Sequence, residues 1–325
     1  MGKERIRYNY EKRIGMHEKK ATLYALSAVL LWSTVATAFK LSLDYISPLQ
    51  LLLIASGTSV IVLGIMLYFQ GKLKVLRSLS SAQLGRMVLL GALNPFVYYL
   101  VLFQAYNLLP AQEAQPLNYT WALMLAYLSV WILKQRISWQ DIIAGLVCYS
   151  GVLIIVTRGD VWRLEFSNPL GVTLALGSTV LWALFWIYNT KWAIEPIVGL
   201  WINFTSGFVL TLIWATYSGA LVAMPLQGVL SAVYVGVFEM GVTFFLWLQA
   251  MRLSTQTAKI ANLIFLSPFL SLIFIALFLG ESILPSTLIG LVLIVSGLLL
   301  QRTKKKEVYP SFRTPKKHLT QQWYT

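Results

Sequence analysis

A single acidic residue, Glu239, interrupts a long apolar stretch, YVGVFEMGVTFFLWLQAM, that spans residues 234–251. A charged side chain at the centre of a membrane helix costs about 2.5–3.5 kcal/mol on insertion scales, and such residues are functional by default. Removal from water disfavours the charged form of a carboxyl group. Glu239 is therefore a candidate for carrying a coupling proton or for binding the amine of a substrate. The structural alternative is a protonated or hydrogen-bonded residue at a helix contact.

The composition places this residue in an all-α polytopic membrane protein. Of the 325 residues, 58% are hydrophobic and only 12% are charged, with a mean hydropathy of +0.69. Soluble domains average about 25% charged residues. Cys148 is the only cysteine, and His17 and His318 both lie in polar tails. The sequence therefore predicts no metal site, no cofactor and no histidine-based catalysis, and the chain is not expected to be an enzyme.

Ten apolar stretches are long enough to be predicted as membrane-spanning helices, which need about 20 residues each. They cover roughly residues 21–39, 48–69, 86–107, 111–133, 139–157, 169–190, 197–217, 226–250, 255–279 and 284–301. With both termini in the cytoplasm, twenty-two Lys and Arg residues fall inside and three (Lys40, Arg158 and Arg163) fall outside. This distribution agrees with the positive-inside rule. The net charge of +14 is then explained by basic residues on the cytoplasmic side and their contact with anionic lipids, and it does not indicate nucleic-acid binding.

The sequence also carries a weak internal repeat. ALSAVLLW at 25–32 returns as ALGSTVLW at 175–182, and residues 91–108 align with 236–253. The chain then divides into a basic tail at 1–20, two five-helix halves at 21–157 and 169–301, and a second basic tail at 302–325. Because five is odd, the second half must enter the membrane from the opposite side. Inverted repeats of this kind are typical of secondary transporters that work by alternating access.

The repeat pairs Asn94 with Glu239 near the predicted bilayer centre, where such transporters place their sites. Hydroxylated residues on the same helix faces, and aromatic residues on polar mid-span faces, complete a predicted substrate site. Its members are Trp32, Asn94, Tyr98, Asn118, Tyr119, Trp121, Trp182, Glu239, Thr243, Phe244 and Asn262. Pro95 and Pro268 interrupt their spans and are hinge candidates, with simple packing kinks as the alternative. Glu113 and Glu281 are interpreted as interface residues near the outer ends of their spans.

Several motifs resemble the drug/metabolite transporter superfamily, in its EamA-type form. ATLYALSAVLLWST opens the first half, and the second half has Pro268, the step Gly280-Glu281, and the spaced glycines Gly290 and Gly297. The stretch LNYTWAL at 117–123 is similar to the Asn-Tyr-x-Trp-Pro motif of the amino-acid and metabolite exporter branch, with Ala122 in place of the proline. At 134–136 the first half reads Lys-Gln-Arg where the Gly-Glu step is expected.

The resemblance implies a central cavity lined by the first, third, fourth, sixth, eighth and ninth spans, with Asn118, Tyr119 and Trp121 in contact with substrate. It implies export of small metabolites, above all amino acids, across a bacterial inner membrane. Protons are a candidate coupling ion because of Glu239. A multidrug or quaternary-ammonium exporter and a passive channel remain as alternatives. A membrane enzyme is disfavoured because the chain has neither HExxH nor GxSxG, and the absence of a Walker motif argues against ATP hydrolysis.

Overall fold

A computed structural model describes residues 2–134, 138–163, 165–192, 194–254, 260 and 262–302, and all regular secondary structure within them is helical. A short helix, Leu73–Arg77, precedes the third of the principal helices. The principal helices are α1 (Gly2–Leu43), α2 (Pro48–Phe69), α3 (Ser81–Leu108), α4 (Ala111–Tyr119 and Trp121–Ile132), α5 (Trp139–Val156), α6 (Pro169–Trp192), α7 (Pro196–Tyr217), α8 (Leu226–Met251), α9 (Leu263–Leu279) and α10 (Pro285–Arg302).

Seven of these described helices are long and apolar enough to cross a membrane, namely α1 from Met16 onward, α2, α3, α5, α6, α7 and α8. The apolar helices α9 and α10 are shorter. The predicted fourth span is not one continuous helix, because α4 is broken at Thr120. Pro116, inside its first segment, has no N–H to donate to the preceding turn. The protein is thus a helical membrane protein whose helices vary in length and regularity.

Local signals in the sequence determine where several helices begin and end. Ser47, Ser80 and Ser138 each form a capping box at the start of α2, α3 and α5. In such a box the serine oxygen and a side chain three residues later satisfy each other's backbone N–H groups. At the other end of α9, Gly280 adopts a left-handed conformation with φ of +66°. Glycine takes this conformation without a Cβ clash, which lets the chain reverse sharply.

The helices pack in a regular set of pairs. The most extensive contacts join α5 to α10, α2 to α7, α1 to α8, and α3 to α6. Further contacts join α4 to α6, α1 to α9, α2 to α8, and α3 to α7. Replacing each helix by its counterpart five helices away (α1 by α6, α2 by α7, and so on) reproduces the same set of helix pairs. The two halves of the chain therefore contribute equivalent surfaces to their common interface.

Glycines allow the closest of these helix contacts. A Cβ atom added at Gly91 of α3 would lie 2.3 Å from the carbonyl oxygen of Asn203 in α7. The same addition at Gly236 of α8 would lie 2.4 Å from the carbonyl oxygen of Ala55 in α2. Gly91 and Gly236 are aligned positions of the sequence repeat, so each half uses glycine for the same approach.

Both α3 and α8 contain a π-helical segment at these glycines, directly after Gly91 in α3 and around Gly236 in α8. The segment in α3 is Ala92–Val97, where Asn94 leaves the helical conformation (φ −146°, ψ 116°) and is followed by a cis bond to Pro95. The segment in α8 is Val235–Val242 and contains Glu239. Short π-helical segments inside longer helices occur frequently at functional sites. Here they displace the backbone at the two aligned positions that the sequence pairs near the membrane centre.

Candidate functional site

The carboxyl group of Glu239 lies partly buried between α1, α3 and α8. The Tyr99 hydroxyl donates a hydrogen bond to Glu239 Oε1 over 3.0 Å, and the Trp32 indole lies close to the same carboxyl group. No Lys or Arg of the described ranges forms an ion pair with Glu239. A neutral hydroxyl donor therefore holds a carboxyl group that no described Lys or Arg side chain neutralises.

Five aromatic residues next to this carboxyl form a continuous set, here called the central aromatic cluster: Trp32, Tyr98, Trp121, Trp182 and Phe244. Phe244 contacts both tryptophans of the sequence repeat, with ring centroids 5.8 Å from Trp32 and 6.2 Å from Trp182. Trp182 in turn contacts Tyr98 at 4.6 Å and Trp121 at 6.4 Å. The cluster draws on α1, α3, α4, α6 and α8, so both halves of the chain build it.

Polar side chains border the cluster on the α4 side. Asn118 Nδ2 donates to Ser178 Oγ over 3.0 Å and lies 3.5 Å from the Tyr98 hydroxyl. The Tyr119 hydroxyl lies close to Ser267 at the start of the second segment of α9. These contacts place Asn118 and Tyr119 beside the cluster, and their contact with substrate stays a prediction.

Three predicted site residues lie differently. Asn94 is buried in the π-helical segment of α3, and its carboxamide has no hydrogen-bond partner among the described residues. The Thr243 hydroxyl donates to the carbonyl of Phe238 within α8, so it stabilises the π-helical turn. Asn262 is exposed immediately before α9. Substrate contact by these three residues stays a prediction, with the least local support for Asn262.

The two hinge candidates lie where helical geometry changes. Pro95 is inside the π-helical segment of α3, and Gly207 of α7 leaves room for its ring, since an added Cβ would lie 2.5 Å from Pro95 Cγ. Pro268 lies at the start of an α-helical segment that follows a 3₁₀ turn, Leu263–Leu266. Pro95 removes a backbone donor inside the helix and weakens it locally, whereas Pro268 lies in the first turn of its segment, where proline is tolerated. Their role as hinges stays a prediction.

Sequence reasoning did not single out Tyr99, which is the hydroxyl partner of Glu239. Tyr99 is the repeat position of Phe244, and that alignment was the available signal. The sequence prediction also left out Trp247, whose ring lies 5.5 Å from Trp32. Glu113 and Glu281 are more than interface residues: Glu113 pairs with Arg158 at 3.0 Å, and Glu281 bonds the first residues of α4. Helix periodicity alone does not reveal such contacts between distant segments.

This arrangement can bind a proton or an organic cation. A carboxylate among ring faces attracts an ammonium group directly, and the rings add cation–π attraction. The remaining aromatic surface suits an apolar body attached to that group. The described residues contain no group of three or more His, Cys, Asp or Glu side chains arranged to hold a metal ion.

The fold is that of a multi-pass helical membrane protein, and comparisons with known proteins place the chain among membrane transporters. The EamA-like transporter family matches residues 19–157 and again 169–303, and the chain belongs to this family. An uncharacterized transporter from Clostridium kluyveri is 27% identical over 298 residues, which cover 89% of this chain and 95% of that protein. Protein PecM from Dickeya dadantii is 24% identical over 246 residues, covering 70% of this chain and 78% of PecM. A protein of known crystal structure shares the fold, with a TM-score of 0.61 at 22% identity, and the match covers 88% of this chain and 98% of that one.

Replacing Trp121 by alanine should weaken substrate binding about tenfold while leaving the amount of inserted protein unchanged. The Trp121 indole contacts Trp182 and so forms one side of the central aromatic cluster. Losing about 1.4 kcal/mol of binding free energy corresponds to a tenfold weaker affinity. Trp131→Ala is the matched control, because Trp131 lies in the same helix but is 84% exposed. Concentration-dependent uptake into proteoliposomes gives both affinities. Equal KM values for the two variants would remove Trp121 from the site.

Proposed function

We propose that this protein is a secondary transporter that exports small amphipathic metabolites, such as amino acids, by alternating access. The exporting membrane would be a bacterial inner membrane, with both termini in the cytoplasm. Substrate would bind between the two halves, beside Glu239 and the central aromatic cluster. Protons are the proposed coupling ion.

The packing of the helices supports the inverted repeat on which this proposal depends. The contacts of α1 with α8 and α9 correspond to those of α6 with α3 and α4. The contacts of α2 with α8 correspond to those of α7 with α3. Two such halves with opposite orientation can exchange conformations, which gives one state open to each side of the membrane.

The observation that carries the proposal is the hydrogen bond between Tyr99 of α3 and Glu239 of α8, at 3.0 Å. It joins the two helices that have π-helical segments at aligned positions of the repeat. A carboxyl group held in this way, partly buried beside aromatic rings from both halves, can exchange a proton for a bound substrate. The donor belongs to the first half and the acceptor to the second, so this hydrogen bond joins the two halves.

Transport by the purified protein is the direct test of the proposed function. Proteoliposomes loaded with a panel of labelled amino acids should release at least one of them in a saturable way, faster when unlabelled substrate is outside. Empty liposomes and liposomes containing heat-denatured protein are the controls. Flux that rises linearly with concentration, without trans-stimulation, would indicate a passive channel and contradict the proposal.

The charge of the site favours a second candidate, the export of organic cations. Glu239 has no ion-pair partner among the described Lys and Arg side chains, so a monocation would neutralise it. Phenethylamine and phenylalanine form a matched pair, since they differ only in the carboxylate. Preference for phenethylamine favours the cation exporter, and preference for phenylalanine favours the amino-acid exporter.

A further inference from the structure

One end of α4 is capped by a residue from the other half of the chain. Glu281 follows Gly280 at the end of α9, and its two carboxylate oxygens accept the N–H groups of Ala111 (2.8 Å) and Gln112 (3.1 Å). The first N–H groups of a helix have no partner within it, and the helix dipole makes this end positive. A carboxylate is therefore the side chain best suited to bind there.

The side chain of Gln112 also forms hydrogen bonds to the second half, at and after the α9–α10 connection. Its Nε2 donates to the carbonyl of Ser282 (3.0 Å), and its Oε1 accepts from Leu284 N–H (3.0 Å) and the Thr287 hydroxyl (3.1 Å). Gln112 is only 6% exposed and Thr287 only 1%. Together with the bonds of Glu281, five hydrogen bonds join residues 111–112 of the first half to residues 281–287 of the second.

We propose that these five hydrogen bonds form a latch that closes the outer end of the transporter and must open in each transport cycle. The inference rests on the proposed alternating access. The latch lies in the α3–α4 and α9–α10 connections, at the end of the bundle that the charge pattern assigns to the outside. Those connections belong to opposite halves, so opening this end requires them to separate.

The sequence has no carboxylate at the repeat position of Glu281. The repeat position of Gly280-Glu281 lies in the α4–α5 connection, where residues 134–136 read Lys-Gln-Arg. Residues 135–137 lie outside the described structure, so this comparison concerns the sequence alone. Lysine and arginine cannot accept hydrogen bonds from the N-terminus of a helix. At the inner end the halves are joined by other contacts, Lys72 with Glu195 (2.6 Å) and Ser254 with Glu18 (2.9 Å), so the latch differs in chemistry from the contacts that must open on that side.

Cysteine labelling behind the latch tests the proposal without measuring transport. The reporter is Gln115→Cys, one turn below Gln112 in α4 and 5% exposed in the closed state, on a Cys148→Ala background. Glu281→Ala should raise the rate of labelling by a membrane-impermeant maleimide about tenfold. Glu281→Gln should raise the labelling rate less, because the one carbonyl oxygen of glutamine accepts fewer hydrogen bonds than the two oxygens of a carboxylate.

Glu113→Gln is the matched control for the latch. Glu113 lies in the same turn, but it bonds Arg158 and Ser167 of the connection between α5 and α6. Native Cys148, buried between α5 and α10, reports unfolding when it is the only cysteine. The proposal fails if Glu281→Ala leaves the labelling rate unchanged, or if Glu113→Gln raises it equally. If Glu281→Ala also exposes Cys148 to labelling, the variant is unfolded, and Thr287→Val replaces it as the test. Thr287→Val should raise the labelling rate at Gln115→Cys about threefold, and no rise would contradict the proposal. Faster labelling in a protein that transports none of the panel substrates would support the latch and contradict the proposed function instead.

Discussion

Replacing Glu239 by glutamine is expected to reduce transport by about two orders of magnitude while the protein still inserts and folds. Glutamine keeps the shape and can still accept a hydrogen bond from Tyr99, but it cannot bind or release a proton. Removing one member of a buried charged contact costs about 2–5 kcal/mol, and each 1.4 kcal/mol corresponds to a factor of ten. Initial rates in proteoliposomes with and without an imposed pH gradient measure the loss.

A graded series separates the charge of Glu239 from its positioning. Tyr99→Phe removes the hydroxyl donor and leaves the carboxyl group, so transport should fall about tenfold and remain sensitive to the pH gradient. Tyr188→Phe is the matched control, because Tyr188 packs against Trp192 near the end of α6, in a separate aromatic pair. Wild-type rates for Glu239→Gln across the pH range would exclude Glu239 from the mechanism and leave it a structural residue.

Gly151→Ala is expected to destabilise the protein by about 1–3 kcal/mol, the usual cost of overpacking a tight contact. An added Cβ at Gly151 would lie 2.4 Å from the carbonyl oxygen of Gly290, and one at Gly290 would lie 2.5 Å from that of Gly151. Both obstacles are backbone atoms, so α5 and α10 must move apart. The midpoint of thermal unfolding in detergent, followed by tryptophan fluorescence, measures the change.

Gly177→Ala makes the same chemical change in a helix without the clash. No heavy atom lies within 4 Å of a Cβ added at Gly177 of α6. Since alanine favours helix more than glycine does, this variant should be neutral or slightly more stable. An equal loss of stability in both variants would show that helix propensity, and not the α5–α10 contact, determines the effect.

The sequence alone predicts a helical membrane fold, because the lipid bilayer restricts which backbone structures can form. Long apolar stretches must become helices in a bilayer, since their backbone groups have no water to bond. The serine caps at Ser47, Ser80 and Ser138 add boundaries that a reader of the sequence can place. The interruption of α4 at Thr120 was not predicted.

The site was predictable in its aromatic part and less so in its polar part. Trp32, Trp182 and Phe244 repeat or align between the halves, and the structure brings them together. Thr243 shares a helix face with Glu239, but its hydroxyl bonds within α8 because the π-helical turn places the Phe238 carbonyl nearby. Helical-wheel reasoning assumes regular α-helix, so it fails where the backbone departs from it. The bond from Tyr99 depends on how two helices pack, which periodicity does not determine.

The most direct measurement is the side of the membrane on which two equivalent loops lie. Leu73, between α2 and α3, and Leu221, between α7 and α8, are 44% and 49% exposed and can each be replaced by cysteine on the Cys148→Ala background. If the halves cross the bilayer in opposite directions, an impermeant maleimide added to intact cells labels position 221, and position 73 reacts only after the membrane is opened. Labelling of both positions from the same side would contradict the inverted repeat and the shared site that depends on it.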